Sequence, residues 1–155
     1  MKNFTTFLIF MLSILPSNAQ KSISLSQLCG TEWRQIFEED KGYTRTVHFS
    51  SELAVWSVIE SNTKKDVLTE EYYLTNEEPL LLPGKDEFLF DHTLVGKNTE
   101  GKYIMIYDKS AETVKYYIVK DYDSSNLYLE VPASYLIHNG EKVYMSKSWT
   151  ISLKK

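Results

Sequence analysis

Leu28-Cys29-Gly30-Thr31-Glu32-Trp33 marks the place where a polar segment gives way to strand-like sequence, and its reading decides the fold. Downstream of it the chain is a succession of short β-favouring runs separated by turn residues. Upstream, residues 22–28 are polar with Ile23, Leu25 and Leu28 on one side, a pattern for one helical turn plugging the end of a barrel. Candidate strands run over residues 33–37, 43–49, 53–59, 67–74, 88–95, 102–107, 114–119, 127–131, 135–137 and 143–153. Between them stand turn signals such as Gly42, free to take positive φ, and Asn139-Gly140, the strongest short hairpin signal in the chain. Eight to ten evenly spaced strands without a long helical pattern predict an all-β fold. The expected architecture is an antiparallel up-and-down β-barrel of about eight strands, with a short N-terminal helical turn.

The ends of the chain bear on this reading. Residues 1–19 have the composition of a secretory signal peptide: Lys2, an apolar run over 7–15, Pro16, and the small-residue site Ser17-Asn18-Ala19. The run is shorter than the ~20 residues a bilayer span needs. The expectation is export to the periplasm or the extracellular space, with a single domain over 20–155 and no membrane insertion after signal removal. Trp33 and Trp149 lie near opposite ends of that domain. If the first and last strands pair, both sheet edges disappear, and the two indoles are expected to share one end of the core. The lone Cys29 excludes an internal disulfide and reads as a small core hydrophobe.

The leucine, glycine and tryptophan at the head of the first strand, Leu28, Gly30 and Trp33, resemble the lipocalin (calycin) pattern. The meander that follows extends the resemblance over residues 28–155, in the style of small secreted domains of Bacteroides-type bacteria. The family usually has one residue between glycine and tryptophan, and this chain has Thr31 and Glu32. The resemblance implies a tryptophan closing the barrel base under a basic residue from the end of the last strand. Lys154 or Lys147 would fill that role in place of the usual arginine. It also implies a binding protein.

A formal net charge of −4 argues against nucleic-acid and anionic-membrane surfaces. Gly96-Lys97-Asn98-Thr99-Glu100-Gly101-Lys102 has phosphate-loop spacing, but Tyr103 replaces the magnesium-binding hydroxyl and a strand follows where a helix should. Asp121-Tyr122-Asp123-Ser124-Ser125-Asn126 starts like a calcium loop and lacks its glycine and glutamate. His48, His92 and His138 have no partners at metal-ligand spacing, and Asp91-His92 has no nucleophile elbow. The carboxylates Glu70, Glu71, Glu77 and Glu78 read as solvated turns and outer faces. No catalytic residue, metal or cofactor is expected.

Eleven tyrosines are the compositional outlier. They favour sheets and pack in cores, and they also line pockets for amphipathic molecules. Lys147 falls in phase with Val143, Met145, Trp149 and Ile151 along the last strand. An inward charge is costly unless paired, so either a bulge turns Lys147 outward or it meets an anionic group inside. The expected ligand-binding residues are Trp56, Tyr103, Tyr116, Tyr128 and Lys147. The expected function is non-enzymatic binding of a small hydrophobic or amphipathic molecule in the barrel. The alternative is a protein partner or inhibited target, recognised by the loops of a filled barrel. Residues 76–86, with Leu80-Leu81-Leu82 between Pro79 and Pro83, are expected to tuck under another part of the fold, with the barrel mouth one place for them.

Overall fold

The computed structural model describes residues 20–39, 42–82, 88–138 and 141–155. The proposed signal segment, Pro83, Gly84 and the Asn139-Gly140 turn lie outside the described residues. Strand β1 (Ile23–Ser24) leads into the four-residue helix α1 (Leu25–Leu28). Then follow β2 (Glu32–Ile36), β3 (Thr44–Phe49), β4 (Leu53–Glu60) and β5 (Thr63–Thr75). After a 3-10 turn at His92–Leu94 come β6 (Glu100–Gly101), β7 (Tyr103–Asp108), β8 (Thr113–Tyr122) and β9 (Asn126–Val131). The hairpin β10 (Tyr135–His138) and β11 (Glu141–Tyr144) precedes the last strand, β12 (Trp149–Lys154).

Eight of these strands close into an antiparallel barrel in the order β12-β2-β3-β4-β5-β7-β8-β9. The closure joins the chain's extremities: Ser152 stands opposite Ile36 and Lys154 opposite Arg34, while Ile151 stands opposite Leu129 on the other side. No edge of the barrel sheet is left open, which removes the template for edge-to-edge association.

Alternation of side chains sets the inside. Val47 and Phe49 on β3, Tyr72 and Leu74 on β5, Ile104 and Ile106 on β7, and Leu127 and Leu129 on β9 are each fully buried. They recur with the two-residue period of a strand, which puts them on one face. Near α1 this interior is solid. Leu28 and Ile23 are fully buried beside Trp33, whose indole Nε1 donates to the Leu28 carbonyl at 3.1 Å. Gln27 Oε1 accepts from the Ser24 N–H at 2.9 Å, satisfying one amide at the start of the plug. Phe49 and Tyr72 meet edge to face at 5.4 Å, and the Tyr72 hydroxyl donates to the Ser50 carbonyl at 2.6 Å. Outside, the Lys155 ammonium lies 4.7 Å from the centre of the Trp33 ring.

Residues 88–92 lie against the outer face of β5, β7 and β8. Phe90 packs on Tyr73 and Tyr107, Phe88 on Tyr116, and His92 on Tyr107. This cover explains why Met105 and Tyr73 are buried although their neighbours in sequence point inward. It also explains the unbroken hydrophobic reading of β7, which is covered on both faces.

Four local expectations need correction. Residues 88–95 do not form a strand: Leu81 and Phe88 make one isolated bridge, and Asp91 then accepts from the Thr93 N–H at 2.9 Å and starts the 3-10 turn. The gap between the strands expected at 53–59 and 67–74 is shorter, with β4 reaching Glu60 and β5 starting at Thr63, because Ser61 and Asn62 both take positive φ (48° and 63°), as a two-residue hairpin turn requires. The strand drawn over 143–153 is two elements, since β11 turns back on β10 and β12 begins only at Trp149. Trp33 and Trp149 do not share one end: Trp33 is buried under α1, and Trp149 is 53% exposed.

Candidate functional site

Away from α1 the barrel is not filled. Gln35, Arg45, Trp56, Val67, Leu68, Lys115, Tyr117, Val131, Trp149 and Ile151 surround a cavity of about 270 Å³. The strand period supplies each wall. Arg45 precedes Val47 and Phe49 on the inward face of β3, and Lys115 precedes Tyr117 and Val119 on that of β8. Val131 follows Leu127 and Leu129 on β9, opposite Trp149 of β12. β3 and β8 therefore change from apolar to charged as they leave the plugged end, while β9 and β12 stay apolar.

Glu70 stands beneath this cavity. It is fully buried on β5, in phase with Tyr72 and Leu74. The indole Nε1 of Trp56 donates to its Oε2 at 3.0 Å. Its Oε1 stands 2.5 Å from the Lys115 ammonium, close enough for an ion pair although out of line for a hydrogen bond. A carboxylate in such a place is tolerable only with a cation and a donor beside it. Tyr117 is nearly buried alongside. Burial, with the Glu70 charge adding to it, pushes its phenol well above the ordinary 10.0, and the Arg45 charge works against that rise. Arg45 is half-buried, and its Nε has no hydrogen-bond acceptor among the described residues.

Of the residues expected at a ligand site, the structure brings one to this cavity, Trp56. Tyr116 lies on the opposite face of β8, lining a second cavity of about 280 Å³ with Leu81, Phe88, Val114, Pro132 and Ser146. Tyr103 packs on Tyr116 at that outer surface, ring centres 6.0 Å apart. Tyr128 is on the outer face of β9 and 37% exposed. Lys147 lies in the exposed link between β11 and β12, so neither a bulge nor an internal anion is needed to account for it. The basic residue over Trp33 is Lys155, not Lys154 or Lys147. Glu70, read as a solvated carboxylate, is inside the barrel. The leucine-rich segment reaches the rim on the outside, with Leu80 76% exposed and Leu81 against Phe88.

Arg45, Glu70, Lys115 and Tyr117 escaped the sequence reading, though a signal for them existed. Arg45, Glu70 and Lys115 each hold an inward position when the two-residue period is carried one step beyond the apolar core residues of their strands, and Tyr117 lies in that row between Lys115 and Val119. Among the described residues, no group of three histidine, cysteine, aspartate or glutamate side chains is placed to hold a metal ion. The fold and the cavity together define a closed eight-stranded antiparallel barrel with a half-filled interior. Set beside protein-family models, curated proteins and solved structures, the chain finds no match in any of the three.

Proposed function

We propose that this is an exported, non-enzymatic, lipocalin-like binding protein that takes one small amphipathic molecule into the open half of its barrel. The observation that carries the reading is the division of the interior. One half is packed around Trp33, and the other surrounds about 270 Å³ lined by apolar walls with a few polar groups. That is the composition of small-molecule sites, and the volume falls just below their usual ~300–1,000 Å³. It equals the space of about nine waters at ~30 Å³ each, so the ligand is small. The lipocalin-like assignment draws support from the closed meander and from Trp33 lying under a lysine that follows the last strand. Export draws support from the composition of residues 1–19.

Fluorescence titration with the neutral apolar probe N-phenyl-1-naphthylamine tests the reading. One saturable site is expected, and it should vanish in a Val131→Trp variant whose added ring occupies the cavity. Absence of saturable binding, or binding indifferent to that substitution, refutes it. A second reading, recognition of a protein partner, is favoured by the exposed Leu80, Leu89 and Met145 outside the barrel. It predicts that a Leu80→Ser, Leu89→Ser double variant loses a captured partner while keeping probe binding.

A further inference from the structure

Resting on the binding reading above, we propose that the ligand is a small amphipathic monoanion whose charged group is held by Arg45. The first argument is a charge count. The cavity is walled by two cations, Arg45 and Lys115, and by no carboxylate among the described lining residues. Glu70, under the floor, is committed to Lys115 and to the Trp56 indole. Among the described residues one positive charge is therefore left over at the wall, and it belongs to Arg45.

The second argument is the orphaned donor. The Arg45 Nε is shielded from solvent and has no acceptor among the described residues. A buried donor of a charged group without a partner is costly, and such groups in native proteins call for an explanation. An anion entering the cavity supplies one when the guanidinium, whose Nε has no accessible surface in this structure, turns toward it. The guanidinium presents parallel N–H groups whose spacing matches the two oxygens of a carboxylate, and charge-assisted bonds of this type are the strong ones. The Tyr117 phenol lies in the field of Arg45 and Glu70 and stays protonated far into the alkaline range, so it remains a donor.

The third argument is the rest of the wall. Leu68, Val131, Ile151 and the two indoles of Trp56 and Trp149 offer apolar surface to the body of the molecule. A small inorganic anion would leave that surface unmatched, and an uncharged apolar molecule would leave Arg45 unmatched. A short chain or ring bearing one carboxylate satisfies both.

The test compares octanoate with octan-1-ol, which share a chain and differ in the charged head. Binding is read by calorimetry and by the fluorescence of Trp56 and Trp149, two of the three tryptophans in the chain. Octanoate is expected to bind at least tenfold more tightly than octan-1-ol to the unaltered protein. Arg45→Met should remove most of that preference, chiefly by weakening octanoate, and Arg45→Lys should keep part of it. Equal binding of the two compounds by protein that binds N-phenyl-1-naphthylamine overturns the anion proposal and leaves the cavity reading standing. Preference for octanoate that survives Arg45→Met, in protein with unchanged near-ultraviolet circular dichroism, overturns the role of Arg45. Failure of all three compounds to bind overturns both readings together.

Discussion

Replacing Lys115 by methionine isolates the electrostatics of the barrel interior. Glu70 is fully buried, holds one hydrogen bond from Trp56, and stands 2.5 Å from the Lys115 ammonium. Removing the partner of a buried charge costs ~3–5 kcal/mol, whereas losing a fully exposed pair costs ~0–1 kcal/mol. The Lys115 side chain is 41% exposed, so water screens the pair and the cost falls between these limits, at about 2 kcal/mol. With a urea slope of ~2 kcal/mol/M, Lys115→Met should lower the unfolding midpoint by about 1 M at neutral pH. The partners are not equivalent. Glu70→Gln keeps an acceptor for Trp56 and leaves a lysine that swings into water, so it should cost only ~1 kcal/mol. In the double variant no buried charge is left alone, and stability should recover above that of Lys115→Met, with a coupling of ~1–2 kcal/mol. The reasoning is refuted if Lys115→Met changes stability by less than about 0.5 kcal/mol, or if adding Glu70→Gln to it brings no recovery.

Gly101→Ala should destabilise, because a Cβ there would stand 2.4 Å from the Thr75 amide nitrogen and 2.7 Å from its carbonyl oxygen. The β5 backbone at Leu74 and Thr75 cannot yield cheaply, so a loss of ~1–3 kcal/mol and a clear fall in Tm are expected; an unchanged melt sinks the point. Trp33→Phe should cost more than Lys155→Ala in urea unfolding. The first strands the Leu28 carbonyl and the second loses only an exposed cation–π contact of ~0.5–1 kcal/mol, so the reverse order contradicts the structure. Asp91, Asp108, Asp121 and Asp123 are held below the ordinary 3.8 by side-chain hydrogen bonds from Thr93, Ser110, Lys21 and Asn126 respectively. Their contribution is present above the ordinary 3.8 and lost as pH falls through the depressed values, so the urea midpoint should hold down to about pH 4 and drop below it, and a flat profile is the contrary result. Tyr72 and Tyr117 are raised by burial, so their stabilising share holds below the ordinary 10.0 and is lost only as alkali rises toward their folded values. Tyrosinate absorbance should show them ionising with unfolding, and a Tyr117→Phe variant that loses early-phase amplitude would contradict this.

The barrel was legible because its strands repeat one signal: apolar residues two apart, ended by turn residues. The closure of β12 on β2 could be argued from edge chemistry alone. The misplaced elements share a different cause. Residues 88–95 carry Phe88 and Phe90 at strand-like spacing, but those rings pack against the outside of the barrel and the segment needs no ladder. Covering a sheet's outer face and forming a strand demand the same apolar residues, so composition does not separate them. Lys147 misled for a related reason: its phase was counted along one long strand, and the β10–β11 hairpin breaks that count. The site itself was hidden by a habit of reading charge as exposure. Glu70 and Glu71 are adjacent, and only their phase against Tyr72 shows that the first faces inward, while the second pairs with His92 outside.

The polar interior is also what sets this barrel apart from one built for stability alone. Near α1 the wall positions are Trp33, Phe49, Tyr72 and Leu28, and packing there closes completely. A chain selected only for a stable core would continue that pattern, since replacing a buried ion pair by well-packed apolar side chains is often neutral or stabilising. Instead β3, β5 and β8 each carry a charge in their inward rows: Arg45, Glu70 and Lys115. Two of the three satisfy each other, and the third is left facing the cavity. A polar departure confined to one end of an otherwise consistent core is where a fold gives up stability for a site. The molecule that fits this barrel should therefore be recognised by its charge first and by its apolar body second.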